Sequence, residues 1–128
     1  MNVVKDGTFY PDEKSYKAGF DFAMLTSKSL PATVQWIIDW AHDRNLIHGS
    51  TAQAQMVKLL EEAGELAGGI AKDKPDVIAD SIGDCAVVLI ILAEQCGLDF
   101  ADCVAQAYDE IKDRRGKMQD GFFVKEGD

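Results

Sequence analysis

Glu61, Glu62 and Glu65 form an acidic triplet near the middle of the chain. On a helix with about 3.6 residues per turn, the three side chains fall on one face. Like charges four residues apart repel and destabilise a helix slightly. The cluster is either a solvated acidic surface, softened by Lys58 one turn earlier, or a set of oxygen ligands for a divalent cation. The triplet alone favours the solvated surface.

Asp80 and Asp84 form a second acidic pair, at the start of the most apolar segment. The helix N-terminal dipole accounts for an early acid, but Asp84 comes later and borders an apolar run over residues 85–93. A carboxylate there is costly to bury unless it is paired or bound to a metal. A break at residues 73–75 makes the two acidic helices antiparallel neighbours, so both sets can face each other. Oxygen-only ligands from two helices predict Mg²⁺, or Mn²⁺ in its place.

Four helices position these acids. The helix signals are a proline in a first turn, a Ser-x-x-Gln capping box, a Lys-Pro start and an Asp N-cap. We expect helices from Pro31 to about Arg44, from Ser50 to about Lys72, from Pro75 to Gly97, and from Asp99 to Gly116. Residues 87–92 also fit a buried strand, but the segment is too long for one strand and contains no turn signal. The second helix has an apolar stripe of Met56, Leu60, Ala63, Ala67 and Ile70.

Length and charge limit the classes of function. The 128 residues predict one domain, divided into an N-terminal arm with a short helix (1–30), a helical catalytic domain (31–117) and a tail (118–128) with a short edge strand or docking segment. A net charge of −9 argues against broad nucleic-acid binding. No apolar run approaches the ~20 residues that span a bilayer, so we expect no membrane partner. Three cysteines without metal-site spacing predict reduced, buried thiols in a cytoplasmic protein.

The chain resembles the all-α nucleoside triphosphate pyrophosphohydrolases of the MazG-like group, of the short phage and bacterial type. The matching motifs are Glu61-Glu62-x-x-Glu65, then Asp80-Ser81-Ile82-Gly83-Asp84 with Val87-Val88-Leu89, and the basic segment over residues 109–118. The resemblance covers about residues 34–125. It implies an antiparallel four-helix bundle, assembled as a homodimer or homotetramer. It also implies Mg²⁺ held by the acidic cluster and cleavage of nucleoside triphosphates to monophosphate and pyrophosphate.

The resemblance implies roles for individual residues. The catalytic residues would be Glu61, Glu62, Glu65 and Asp84, with Asp80 joining them as metal ligands and Glu61 as the candidate proton acceptor. The substrate contacts would be Lys58, Lys112, Arg115 and Lys117. Lys58 is equally well explained as an ion-pair partner of Glu61 and Glu62, and the other three cations as helix C-terminal charges. A base pocket could be bordered by Trp36, Trp40 and Gln55, although tryptophans in helical bundles more often belong to the core. His42 and His48 are expected at the surface.

Two departures from the family pattern affect the site. Ser81 stands where the family has a glutamate, so either the adjacent Asp80 or a water takes that place. Asp109 stands where an asparagine is often found, which bears on how sugar or phosphate is held. Ser81 therefore keeps open a second reading, a non-catalytic oligomeric binding or regulatory module that retains a metal site. A di-iron carboxylate bundle is not supported, because its paired Glu-x-x-His motifs are missing.

Overall fold

The frame of the protein is a hairpin of two long helices. The computed structural model describes residues 3–5, 8–10 and 29–127, and these are mostly helical. The helices are α1 (Leu30–Asp43), α2 (Leu46–Gly49), α3 (Ala52–Ala71), α4 (Pro75–Gln95) and α5 (Phe100–Ile111). Two small hairpins are formed by β1 (Val3–Lys5) with β2 (Thr8–Tyr10) and by β3 (Gly116–Gln119) with β4 (Phe122–Lys125). Among the described residues, no helix is long and apolar enough to cross a membrane.

A tight turn joins α3 to α4 and makes them antiparallel along most of their length. Asp73 takes the left-handed conformation with φ of 52°, and the Lys74 amide donates to the Gly69 carbonyl at 2.9 Å. A Cβ atom at Gly69 would lie 2.9 Å from Cγ1 of Val77, so only glycine permits this approach. The predicted antiparallel pairing of these two helices is confirmed.

The small core lies where α1 and α2 pack against the second half of α4. Its buried cluster contains Ala41, Ile47 and Ile91, with Leu46 and Val87 packed against it. The predicted helices left residues 45–49 without a helix, and α2 was therefore missed. A helix of only four residues leaves no periodicity to detect.

Helix ends agree with the sequence in part. The Asp99 N-cap is confirmed, because its carboxylate accepts from the Asp102 amide at 2.9 Å. The N-cap of α3 is Thr51, which accepts from the Ala54 amide at 3.0 Å, so the predicted Ser50 cap is wrong by one residue. The Ser50 hydroxyl instead accepts from Gln55 Nε2 at 3.0 Å.

The chain leaves the helical conformation earlier than expected after α5. That helix ends at Ile111 rather than at Gly116, and residues 116–125 form an exposed hairpin. Asp120 and Gly121 both have positive φ, 51° and 84°, and Asp-Gly is the preferred pair for a two-residue hairpin turn. The predicted tail strand is confirmed as β4, while its partner β3 was missed.

Three other expectations concern the surface and the N-terminal arm. Cys85 is half-buried and Cys96 and Cys103 are exposed, all as free thiols. The prediction of buried thiols is therefore wrong for the last two. His42 and His48 are exposed, as predicted. The short helix predicted in the arm falls on residues that the structure does not describe. Before residue 29, the structure describes only the pairing of β1 with β2.

The apolar stripe predicted on the second helix does not pack against the other helices of the described chain. The buried or half-buried positions of α3 are instead a mixed set: Ala52, Gln55, Leu59, Glu62, Leu66, Gly68 and Gly69. Met56, Leu60, Ala63, Ala67 and Ile70 are all exposed. The face of α3 that packs against α4 is therefore the one that contains Glu62.

Candidate active site

A groove of about 430 Å³ lies between the α3–α4 hairpin and the α1–α2 corner. Glu62 and Lys58 reach it from α3, Asp84 reaches it from α4, and Trp40 reaches it from α1. Its other lining residues are Leu46, Ala54, Gln55, Val87, Val88 and Ile91. Acidic oxygens, one cation and an aromatic ring therefore meet in one apolar setting.

Glu62 is the buried acid of the groove. Its side chain is 8% exposed, and one carboxylate oxygen, Oε1, lies 3.2 Å from Lys58 Nζ. The other, Oε2, is buried and has no hydrogen-bond partner in the described part of the chain. An unsatisfied buried acceptor costs about 1–3 kcal/mol, and more when it is charged. Glu62 thus has an unused ligand position directed into the protein.

Asp84 faces two other carboxylates. Its partial burial raises its pKa, and the negative charges of Asp80 and Glu62 raise that pKa further. Asp80 lies one turn earlier on α4, and Glu62 lies across the hairpin. The predicted meeting of the two acidic sets therefore occurs through Glu62, with Asp80 beside Asp84.

Lys58 supplies the positive charge at this cluster. Its hydrogen bond to Glu62 is the main reason that its pKa is raised, and the charges of Glu62 and Glu61 add to the effect. Lys58 Nζ lies 3.6 Å from Glu61 Oε2. The ion-pair role is thus present in this state, and a phosphate would have to compete with two carboxylates for the ammonium group.

The carboxylates have the oxygen donors that a divalent cation needs, but these oxygens are not gathered around one point. Hard oxygen donors and the unpartnered Glu62 Oε2 suit Mg²⁺. Within residues 29–127, however, no three or more His, Cys, Asp or Glu side chains are placed to hold a metal ion. Side-chain rotation, beginning with release of Glu62 from Lys58, would be needed to bring the oxygens to one point.

Glu61 and Glu65 lie away from Asp84. Both are exposed and line a second groove of about 590 Å³ along α3, which shares no lining residue with the first. Its remaining lining residues are Gly64, Gly68, Gly69, Lys72, Lys74 and Val77. The structure therefore separates the triplet into one inward acid and two outward acids.

The predicted basic contacts also lie outside the groove of Glu62 and Asp84. Lys112 forms a 2.8 Å ion pair with Asp109, the residue that departs from the family pattern. Arg115 precedes β3, and its carbonyl accepts from the Glu126 amide at 2.9 Å. Lys117 is on β3 and lines a small cleft of the hairpin. None of the three lines the groove described above.

Trp40 and Gln55 belong to the groove, whereas Trp36 does not line it. Trp40 is 42% exposed, and the Arg44 guanidinium lies over its ring, 5.0 Å from the centroid. Arg44 was not among the predicted site residues. The signal was present, because an arginine four residues after a tryptophan on a helix can stack on its ring.

Comparison of the sequence with known protein families gives a match that covers the helix hairpin. A family model described as the MazG nucleotide pyrophosphohydrolase domain matches residues 50–118, more than half of the chain. The chain belongs to the MazG family. The match runs from the start of α3 to β3 and includes all five candidate acids and all four candidate substrate-binding cations of this MazG chain. Trp40 and Arg44 lie before it.

A curated relative comes from Haemophilus phage HP1 (strain HP1c1). It is described as an uncharacterized 18.2 kDa protein in the rep-hol intergenic region, and it is 57% identical over 70 residues. The alignment covers 55% of this MazG chain and 43% of the phage protein. No solved structure matches the chain.

Proposed function

We propose that this MazG chain hydrolyses nucleoside or deoxynucleoside triphosphates to monophosphates and pyrophosphate, with Mg²⁺ or Mn²⁺ as the cofactor. Family membership supports the reaction class. The observation that carries the proposal is the buried, unpartnered oxygen of Glu62 beside Asp84, in a groove that also holds a lysine and a tryptophan. A buried carboxylate oxygen without a partner is costly in a purely structural helix hairpin, whereas a cation-binding site uses it.

The proposed reaction joins the oxygen of a water molecule to the α-phosphorus. The bond from that phosphorus to the oxygen bridging to the β-phosphorus breaks, and pyrophosphate leaves with the electron pair. Bound Mg²⁺ would supply the charge that offsets phosphate–carboxylate repulsion and would lower the pKa of a coordinated water. Glu62, Asp84 and Asp80 would hold it, with Glu65 joining from the exposed side of α3. Glu61 stays the proposed proton acceptor.

The cations of the chain would act on the phosphates. Lys58, released from Glu62 when a cation replaces it there, would have its ammonium free for a phosphate oxygen. Lys112, Arg115 and Lys117 are proposed to neutralise the departing pyrophosphate. They lie outside the described groove, so this role requires the tail of the same or a second copy to approach it. A homodimer or homotetramer built on an antiparallel four-helix bundle is part of the proposal.

The direct test is a substrate panel. The purified chain is incubated with each common NTP and dNTP and Mg²⁺, and the products are resolved. We expect monophosphate and pyrophosphate in equal amounts from at least one substrate, and loss of both in EDTA. No pyrophosphate from any of them, or product formation that EDTA leaves unchanged, would reject the proposed reaction.

Trp40 is predicted to bind the nucleobase. Stacking of a base on an aromatic ring is worth about 1–3 kcal/mol, so Trp40→Ala should raise KM roughly 10-fold or more while kcat changes little. Trp40→Phe, which keeps an aromatic face, should restore most of the affinity. Asp39→Ala, an exposed neighbour on α1, is the control and should leave KM unchanged. A fall in kcat with constant KM would contradict the stacking role.

Ser81 supports one alternative, a non-catalytic binding or regulatory module with a retained metal site. Ser81 is buried, with 1% of its surface exposed. It stands at the position where the family pattern has a glutamate. It therefore offers no carboxylate to the cluster. Stabilisation of the protein by Mg²⁺ without turnover of any nucleotide would favour this reading.

A further inference from the structure

Gln55 is a buried polar residue in the wall of the groove that holds Glu62 and Asp84. It is 9% exposed and lies in the first turn of α3. Its amide nitrogen, Nε2, donates to the Ser50 hydroxyl at 3.0 Å, which fixes one end of the amide. Buried polar groups are normally hydrogen-bonded, so the amide oxygen, Oε1, also requires a partner.

The oxygen of that amide is open to the groove. In the described part of the chain, no group donates to Gln55 Oε1. Only two side-chain nitrogen or oxygen atoms there are both sealed from solvent and unpartnered, and these are Glu62 Oε2 and Gln95 Oε1. Gln55 Oε1 is not one of them, so solvent reaches it, and the groove is the space that Gln55 lines. The wall of the groove therefore presents a fixed hydrogen-bond acceptor.

Gln95 is a second anchored glutamine and differs from Gln55 at the oxygen. Its Nε2 donates to the Leu46 and Ile47 carbonyls, at 3.4 Å each, which ties α2 to the end of α4. Its oxygen is sealed from solvent, so no ligand can reach it. Gln55 is anchored through its nitrogen in the same way, yet its oxygen stays accessible. A purely structural role does not require that accessible oxygen, whereas binding a ligand does.

Gln55, Lys58 and Glu62 follow one face of α3. Their intervals of three and four residues bring all three side chains to the same groove. The helical rise separates Gln55 from Glu62 by about 10 Å along the axis. In the proposed function, Glu62 holds the cation at the phosphates and Lys58 binds a phosphate oxygen. Gln55 then lies one turn beyond Lys58, on the side of the groove that is left for the base.

The nucleobases differ in what they offer to such an acceptor. Cytosine carries an exocyclic amine, which donates a hydrogen bond, and uracil carries a carbonyl oxygen at the same position. Two acceptors would then face each other without a proton between them, which is unfavourable where little water can enter. The ring N–H of uracil lies between two carbonyl oxygens, and the same acceptor repels both. A base that stacks on Trp40 with its edge at Gln55 is therefore selected by its amine.

We infer that Gln55 is a specificity-determining residue, and that it selects nucleotides whose base carries an exocyclic amine, with cytosine favoured over uracil. Ser50 is its positioning residue, because it holds the amide nitrogen and so keeps the oxygen available to the groove. Without Ser50 the amide is free to turn half a revolution and present its NH₂ group to a carbonyl oxygen. This selection rests on the proposed function, since it requires a nucleotide in the groove.

The test is calorimetric binding of the α,β-methylene analogues of CTP and UTP to the full chain in Mg²⁺. A carbon replaces the oxygen between the α- and β-phosphorus atoms in these analogues, so binding is measured without turnover. We expect the cytidine analogue to bind about 10-fold more tightly than the uridine analogue. Gln55→Met keeps the length of the side chain but removes the amide, so it should abolish that preference by weakening the cytidine complex. Circular dichroism checks that each variant keeps its helix content.

Ser50→Ala should tighten binding of the uridine analogue, because the released amide can donate to the uracil carbonyl. Loss of structure does not produce such a gain, so this variant decides the matter even if Gln55→Met fails to fold.

Gln53→Met is the matched control. Gln53 is exposed on α3, two residues before Gln55, and its replacement should leave the ratio of the two affinities unchanged. Equal or reversed affinities in the wild type would overturn the selection, and so would a folded Gln55→Met protein that keeps the preference, or no binding of either analogue. Selective binding without pyrophosphate release from CTP would reject only the proposed reaction. Release from both CTP and UTP with equal analogue affinities would reject only the role of Gln55.

Discussion

Replacing Glu62 with glutamine should reduce pyrophosphate release at least 100-fold and abolish stabilisation by Mg²⁺. In the wild type, Mg²⁺ at about 100 times its dissociation constant should add about 2.7 kcal/mol to the free energy of unfolding. For a domain of this size, that corresponds to a rise in Tm on the order of 10 °C. Glutamine keeps the shape and one oxygen but removes the charge that the cation needs, so the Tm should no longer respond to Mg²⁺.

The control for this experiment is Glu110→Gln, an exposed acid on α5. It has the same change of charge and should keep both turnover and the Mg²⁺ response. Calorimetry with Mg²⁺ alone separates metal binding from catalysis. A Glu62→Gln protein with undiminished Mg²⁺ affinity would show that the buried carboxylate is not a ligand, whatever the activity of the variant.

Asp84→Asn should produce opposite effects on stability without and with the metal. The pKa of Asp84 is raised in the folded state above its usual 3.8, so the folded protein binds this proton more tightly than the unfolded chain. Stability contributed by the protonated form is present below pH 4 and is lost as the pH rises through the folded pKa. At neutral pH the metal-free wild type therefore carries a partly buried charge on Asp84 and its repulsion from Asp80 and Glu62.

Asparagine removes that repulsion. In EDTA at neutral pH, we expect Asp84→Asn to melt a few degrees above the wild type, with a flatter dependence of Tm on pH above pH 4. In Mg²⁺ the order should reverse, because only the wild type gains the ligand. Asp76→Asn serves as the control, since Asp76 lies in the first turn of α4, where an acid favours the helix dipole. An Asp84→Asn protein less stable than wild type in EDTA would contradict the repulsion.

The sequence predicted the helix hairpin and the approach of its acids because the relevant signals are local. The Asp73-Lys74-Pro75 break and the 3.6-residue period specify two helices of known length, and short connections make them antiparallel. Glu62 near Asp84 follows from that geometry. By contrast, Glu61, Glu62 and Glu65 share one broad arc of the helix, and their common spacing does not determine which of them turns inward. Tertiary packing against α4 makes that selection.

Tertiary packing also explains why the predicted apolar stripe of α3 is not the one that faces α4. Periodicity identified Met56, Leu60, Ala63, Ala67 and Ile70 as a packing surface but carries no information on which chain provides the other half. The stripe with Leu59 and Leu66 is less apolar because Gln55 and Glu62 interrupt it, yet this stripe faces α4. A search for the most apolar face therefore does not identify the face that packs against α4.

The turn at Asp73 has a consequence for how the site could change through insertion or deletion. Glu62 lies eleven residues before Asp73, and Asp84 lies eleven residues after it. Asp73 is thus midway between the two acids in sequence. Because the helices are antiparallel, these equal counts of residues place the two carboxylates at similar heights along the hairpin. One extra residue in the helical stretch between either acid and the turn would rotate that acid by about 100° relative to the turn and shift it by about 1.5 Å. The approach of the two carboxylates therefore depends on the lengths of two helix segments that contain neither of them.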